Sequence, residues 1–101
     1  MNPLPLKPAE LEMVRSVFQH HPEVMTVTLF GSRAKGNHRN NSDVDLAVTG
    51  DVEPLRAESI AAELDELPLP YRFEVQSLKY ILHPPLLEHI QRVGILIYPA
   101  T

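Results

Sequence analysis

The chain has 101 residues, ten prolines, no cysteine and a formal net charge of −4. A chain of this length makes one compact domain and little beyond it, and the lack of cysteine excludes a disulfide framework or a thiolate metal site. The acidic balance excludes a large basic surface for gripping nucleic acid, no apolar run is long enough to span a membrane, and no signal peptide is visible, so a cytoplasmic location is expected.

Met1 to Lys7 carries two prolines and is expected as a loose lead-in to a single domain spanning residues 1–101. Leu11, Val14, Val17 and Phe18 recur at helical spacing and predict an amphipathic helix from Pro8 to His20, closed off by Pro22. Val24 to Phe30 is rich in β-branched residues and ends at Gly31, which predicts a strand running into a tight turn. Ser32 suits an N-cap, so a short helix over Arg33-Ala34-Lys35 is expected before Gly36 stops it. Asp43 to Val48 alternates as a strand, and Gly50-Asp51 turns the chain. Pro54 opens a second long helix with Ala57, Ile60, Leu64 and Leu67 as its buried stripe, ended by Pro68 and Pro70. Tyr71 to Leu78 alternates again, with Phe73 and Val75 on one face and Arg72, Glu74 and Gln76 on the other. Pro84-Pro85 opens a last helix with Leu86, Leu87, Ile90 and Val93 toward the core, Gly94 stops it, and Ile95 to Tyr98 reads as a short final strand. The alternation of helices and strands predicts one α/β domain, with every proline before the last strand in the lead-in, near a helix start or in a connection.

The chemistry concentrates between Leu29 and Val48, in LFGSRAKGNHRNNSDVDLAV. Gly31 lacks a Cβ, so its backbone accepts strained dihedrals and lets a phosphate come close. A helix starting at Ser32 would offer unpaired N–H groups and partial positive charge to phosphate oxygens. Asp43 and Asp45 are alternate residues of a strand and project from the same face. Two like charges held so close require an offsetting cation, and Mg²⁺ takes carboxylate and phosphate oxygens together. Arg33, Lys35 and Arg39 place positive charge beside the turn, Arg33 nearest the serine.

Gly31-Ser32, ten intervening residues and Asp43-Val44-Asp45 resemble the signature of the polymerase-β-type nucleotidyltransferase superfamily. The short chain resembles its smallest branch, the minimal nucleotidyltransferases (MNT). Phe30, Arg33, Gly36 and Ser42 also fall where that family has such residues. The resemblance implies a palm-like α+β domain, a small mixed sheet flanked by about four helices. It further implies that Gly31, Ser32 and Arg33 hold the nucleotide phosphates while Asp43 and Asp45 hold Mg²⁺, as one or two ions. A third carboxylate belongs on a later strand, usually as aspartate; here the candidate is Glu74, whose extra methylene moves the carboxylate by roughly 1.5 Å.

The activity implied is transfer of a nucleoside monophosphate, AMP from ATP, to a hydroxyl on a partner, whose proton passes to Glu74 or to a metal-bound hydroxide. About two dozen residues follow the Glu74 strand, too few for a helical acceptor domain. Minimal nucleotidyltransferases are paired with a helical HEPN-domain protein, often a toxin ribonuclease, which the nucleotidyltransferase adenylylates as antitoxin. Two alternatives stand beside this: a module that neutralises its HEPN partner by contact alone, and a stand-alone transferase for a small molecule such as an antibiotic. The histidines are assigned no role in the site: His20 and His21 sit at a helix end, His38 is a loop residue, and His83 and His89 lack zinc spacing. Tyr80 and Tyr98 are expected as rim or core aromatics.

Overall fold

In a computed structural model, which describes residues 6–31 and 43–99, Pro8 opens the first helix because its fixed φ and missing N–H suit a first turn. That helix, α1 (Pro8–Phe18), also gains a capping contact: the Glu10 carboxylate accepts from the Lys7 backbone N–H at 2.9 Å. Leu11, Val14 and Phe18 form its buried stripe. It ends two residues short of His20, where Gln19, His20 and His21 wind into a turn held by backbone bonds to Arg15, Val17 and Phe18.

Strands β1 (Val24–Phe30) and β2 (Val44–Gly50) pair antiparallel, with Val27 opposite Val48 and Phe30 opposite Asp45. Helix α2 (Pro54–Asp65) then carries the chain across to β3 (Phe73–Ser77), which lies parallel to β2. The parallel pairing needs such a crossover, since two parallel strands cannot be joined by a tight turn. A 3₁₀ turn (Leu78–Tyr80) that the sequence did not announce leads to α3 (Pro84–Val93) and β4 (Ile95–Tyr98). Strand β4 pairs antiparallel with β1, and the sheet order is β3-β2-β1-β4.

Strand β3 is shorter than its alternating segment: it starts at Phe73, whose N–H donates to the Asp65 carboxylate at the end of α2 at 2.9 Å. Both faces of the sheet are covered. One face, built from Val44, Leu46, Val48, Phe73 and Val75, packs on α1 and α2 through Val14, Phe18, Ile60 and Leu64. Burying each of those large side chains is worth about 1.5–3 kcal/mol, so this layer is the main source of stability. The other face carries a smaller core of Phe30, Ala47, Ile81 and Ile90, with Leu78, Leu86 and Leu87 against it. Of the expected α3 stripe only Ile90 is buried, while Leu86 and Leu87 pack half-buried against the second core. The described residues thus hold three α-helices around a mixed four-stranded sheet. The short helix expected at Ser32 and the lead-in Met1 to Pro5 lie outside the described residues.

Candidate functional site

The second face supplies the carboxylates. Asp43 is exposed just before β2, Asp45 is half-buried in the strand, and Val44 between them is fully buried on the opposite face. Alternation alone therefore puts Asp43 and Asp45 on one side of the sheet. The parallel register adds the third group, because Asp45 stands directly opposite Glu74. Side chains opposite each other in adjacent strands project the same way, so two strands far apart in sequence present their carboxyls side by side.

The electrostatics follow from that crowding. The Asp45 carboxyl is pushed up to about 6, first by burial, then by a hydrogen bond and charge repulsion from Glu74, and last by the charge of Asp43. Loss of its proton places two negative charges side by side, one of them half-buried.

The chemistry of these donors fits a divalent cation. Among the described residues no three acidic, imidazole or thiol groups converge tightly enough to hold an ion by themselves. Mg²⁺ demands no such cage: it keeps waters and binds through one or two carboxylates plus substrate phosphates. Asp45 and Glu74, with Asp43 beside them, meet that requirement, and a cation would replace the shared proton.

Gly31 closes the site from the end of β1. Its φ is +81°, a left-handed conformation that costs an L side chain energy. A Cβ at this position would collide with the Asp45 carboxylate. The glycine expected to admit a phosphate thus also makes room for the half-buried aspartate. Its amide N–H is engaged, donating to Nε2 of His89 on α3 at 3.2 Å. The His89 ring also meets Phe30 edge-on, with ring centroids 6.2 Å apart and planes at 80°. His89 has no zinc spacing, yet it reaches the end of β1. The available signal was its place three residues after Leu86, on the flank of α3 that faces the sheet.

Of the sequence-based candidates, the structure brings together Gly31, Asp45 and Glu74, with Asp43 at their margin. Ser32 and Arg33, with Lys35, His38 and Arg39, lie outside the described residues. His21 serves the fold instead: it is buried between the end of α1 and α2, with Nε2 2.7 Å from Glu63 and Nδ1 3.5 Å from Glu23.

The profile of the family described as "Polymerase beta, Nucleotidyltransferase" matches residues 12–100. The Haemophilus influenzae protein named "Probable protein adenylyltransferase MntA" is 35% identical over 75 residues. That match takes in 71% of the chain and 65% of the relative, so the chain spans less than two thirds of that protein. A crystal structure of a toxin-antitoxin with AMP-PNP superimposes with a TM-score of 0.72 at 18% identity, over 87% of this chain and 72% of the other. The complex of a tri-AMPylated Shewanella oneidensis HEPN toxin with its MNT antitoxin gives 0.72 at 14% identity, over 92% and 72%. A nucleotidyltransferase fold from Sulfolobus solfataricus gives 0.53 at 18% identity, over 85% and 73%. These structural likenesses establish the fold.

Proposed function

Because the chain belongs to the polymerase-β nucleotidyltransferase family, on its minimal MNT branch, we propose that it transfers AMP from ATP to a hydroxyl on a helical HEPN-domain protein. The observation that carries this reading is the pairing of the Asp45 and Glu74 carboxyls beside the Gly31 turn. The partner is inferred from relatives: MntA is named for protein adenylylation, and the Shewanella complex joins an MNT antitoxin to an AMPylated HEPN toxin.

Asp43, Asp45 and Glu74 would hold Mg²⁺, which when bound neutralises charge on the triphosphate oxygens. Glu74, the most exposed of the acids on the sheet itself, accepts the proton of the acceptor hydroxyl as its oxygen attacks the α-phosphorus. The bond from that phosphorus to the bridging oxygen breaks, and pyrophosphate leaves with the electron pair. Ser32 and Arg33, assigned from the motif, hold the phosphates in line. Asp45 stays ionised and half-buried, so its charge acts at close range. Catalysis of this kind is alignment and charge stabilisation, which strand-borne side chains supply well.

The test uses α-labelled ATP and Mg²⁺ in a lysate of the source organism, with wild type and the Asp43→Ala/Asp45→Ala double variant. A labelled protein that requires both aspartates is the expected result, and its mass identifies the acceptor. Label sensitive to ribonuclease would point to RNA. Neutralisation of a HEPN protein that survives the double substitution in a folded chain would favour the contact-only module, a reading that Glu74 in the usual aspartate position keeps open. Labelling of an antibiotic without any partner would instead identify a small-molecule transferase.

A further inference from the structure

The antiparallel β1–β2 ladder ends at the Phe30–Asp45 pair, so the next amide, that of Gly31, has no strand partner to donate to. His89, fifty-eight residues away in sequence, takes that donor. An N–H can only donate, so Nε2 must be the unprotonated ring nitrogen and the imidazole proton sits on Nδ1. The ring is placed from two sides. Ile90, its neighbour on α3, is buried in the second-face core with Phe30 and Ala47, and the ring itself stands edge-on to Phe30. Gly31 is thereby fixed by three contacts: the last ladder pair before it, the Asp45 carboxylate where a Cβ would be, and the His89 nitrogen on its amide.

We propose that His89 is a positioning residue of the nucleotide site, holding the Gly31 amide so that the end of β1 keeps one orientation beside Asp45, where the donor phosphates would approach. The inference rests on the nucleotidyltransfer reading above. His89 touches neither the carboxylates nor the reacting atoms; it acts through the backbone of the glycine. A backbone position that must meet phosphates gains from being held before they arrive, because less order is then lost on binding. His89 couples α3 to the site for the same reason, and its loss loosens the turn without touching the charges that drive the chemistry.

Two substitutions separate the hydrogen bond from the ring packing. His89→Phe keeps a ring against Phe30 and removes the acceptor; His89→Gln puts an amide oxygen near the place of Nε2 and removes the ring. The probes are hydrogen exchange at the Gly31 amide and binding of AMP-PNP with Mg²⁺ to the full chain. In His89→Phe, Gly31 exchange is expected to quicken about tenfold or more, and the Kd for the analogue to rise about tenfold. His89→Gln is expected to restore both to within about threefold of wild type. A His89→Phe chain with unchanged exchange and affinity overturns the proposal, as does a His89→Gln chain damaged as badly as His89→Phe. Should His89→Phe fail to fold, His89→Ala read against His89→Gln decides the same point. A wild type that binds no analogue overturns the nucleotidyltransfer reading, and the inference with it. A defect confined to the exchange overturns the inference alone.

Discussion

Asp45 and Glu74 stand directly opposite each other in the parallel β2–β3 ladder, although twenty-eight residues separate them in sequence. Neighbouring strands lie about 4.8 Å apart, so the two carboxyls share one small volume on the second face of the sheet. The fold maintains a repulsion there that its own interior does not relieve.

That repulsion sets a pH dependence. The Asp45 carboxyl is raised to about 6, first by burial. An unfolded aspartate titrates near 3.9, so between about pH 4 and 6 the native state holds a proton that the unfolded chain has released. Stability without divalent cations therefore falls as pH rises through this window and is greatest below it. After allowance for solvent screening of a half-exposed group, the loss is about 1–2 kcal/mol, several degrees in melting temperature for a domain of this size. Thermal melts at pH 5 and pH 7.5 in EDTA measure it. Asp45→Asn should flatten the profile and raise stability at neutral pH while lowering nucleotidyl transfer about 10²-fold or more. A wild type that grows more stable from pH 5 to 7.5 would contradict the crowding.

Gly31→Ala tests the room over Asp45. Alanine meets a left-handed backbone at φ +81° and drives its Cβ into the Asp45 carboxylate. The strained dihedral costs about 1–2 kcal/mol, and displacing a carboxylate by even about 1 Å can cost 10²-fold in rate. Chemical denaturation and initial transfer rates should fall together. A variant of wild-type activity would show that Asp45 need not sit where the glycine lets it.

Glu74 is examined by shortening it and by neutralising it. Glu74→Gln keeps length and removes charge, so transfer should fall by about 10²-fold if the carboxylate takes the acceptor proton. Glu74→Asp pulls the carboxylate back by about 1.5 Å toward the position usual in the family, and activity should stay within about tenfold of wild type. Initial rates at saturating ATP decide between the two, and a fully active Glu74→Gln would remove Glu74 from the mechanism.

A control lies at the other side of the sheet. The buried His21 ring meets Glu63 at 2.7 Å and ties the turn after α1 to α2. Glu63→Gln weakens that tie and should cost about 1 kcal/mol in urea unfolding, because Glu63 is itself half-exposed. Transfer activity of the folded variant should be unchanged, since both residues pack on the face opposite the carboxylates.

Local chemistry in the chain was enough to determine the elements and one face of the site. Prolines at helix starts, apolar residues at helical spacing and alternation in two of the strands are signals that act over a few residues. For that reason β1 ends where its glycine said it would, and Asp45 falls on the second face of β2 with Asp43 just before the strand. The β3 boundaries were less legible, because alternation runs from Tyr71 to Leu78 whereas pairing with β2 spans only Phe73 to Ser77. What only the tertiary structure decided was which elements meet. The α2 crossover sets β3 parallel to β2 in the register that puts Glu74 opposite Asp45, and packing of α3 against Phe30 and Ala47 carries His89 to the Gly31 amide. Neither relation leaves a periodic trace in the sequence, because register and docking depend on how separate hydrophobic faces fill one core and not on the order of residues within any single segment.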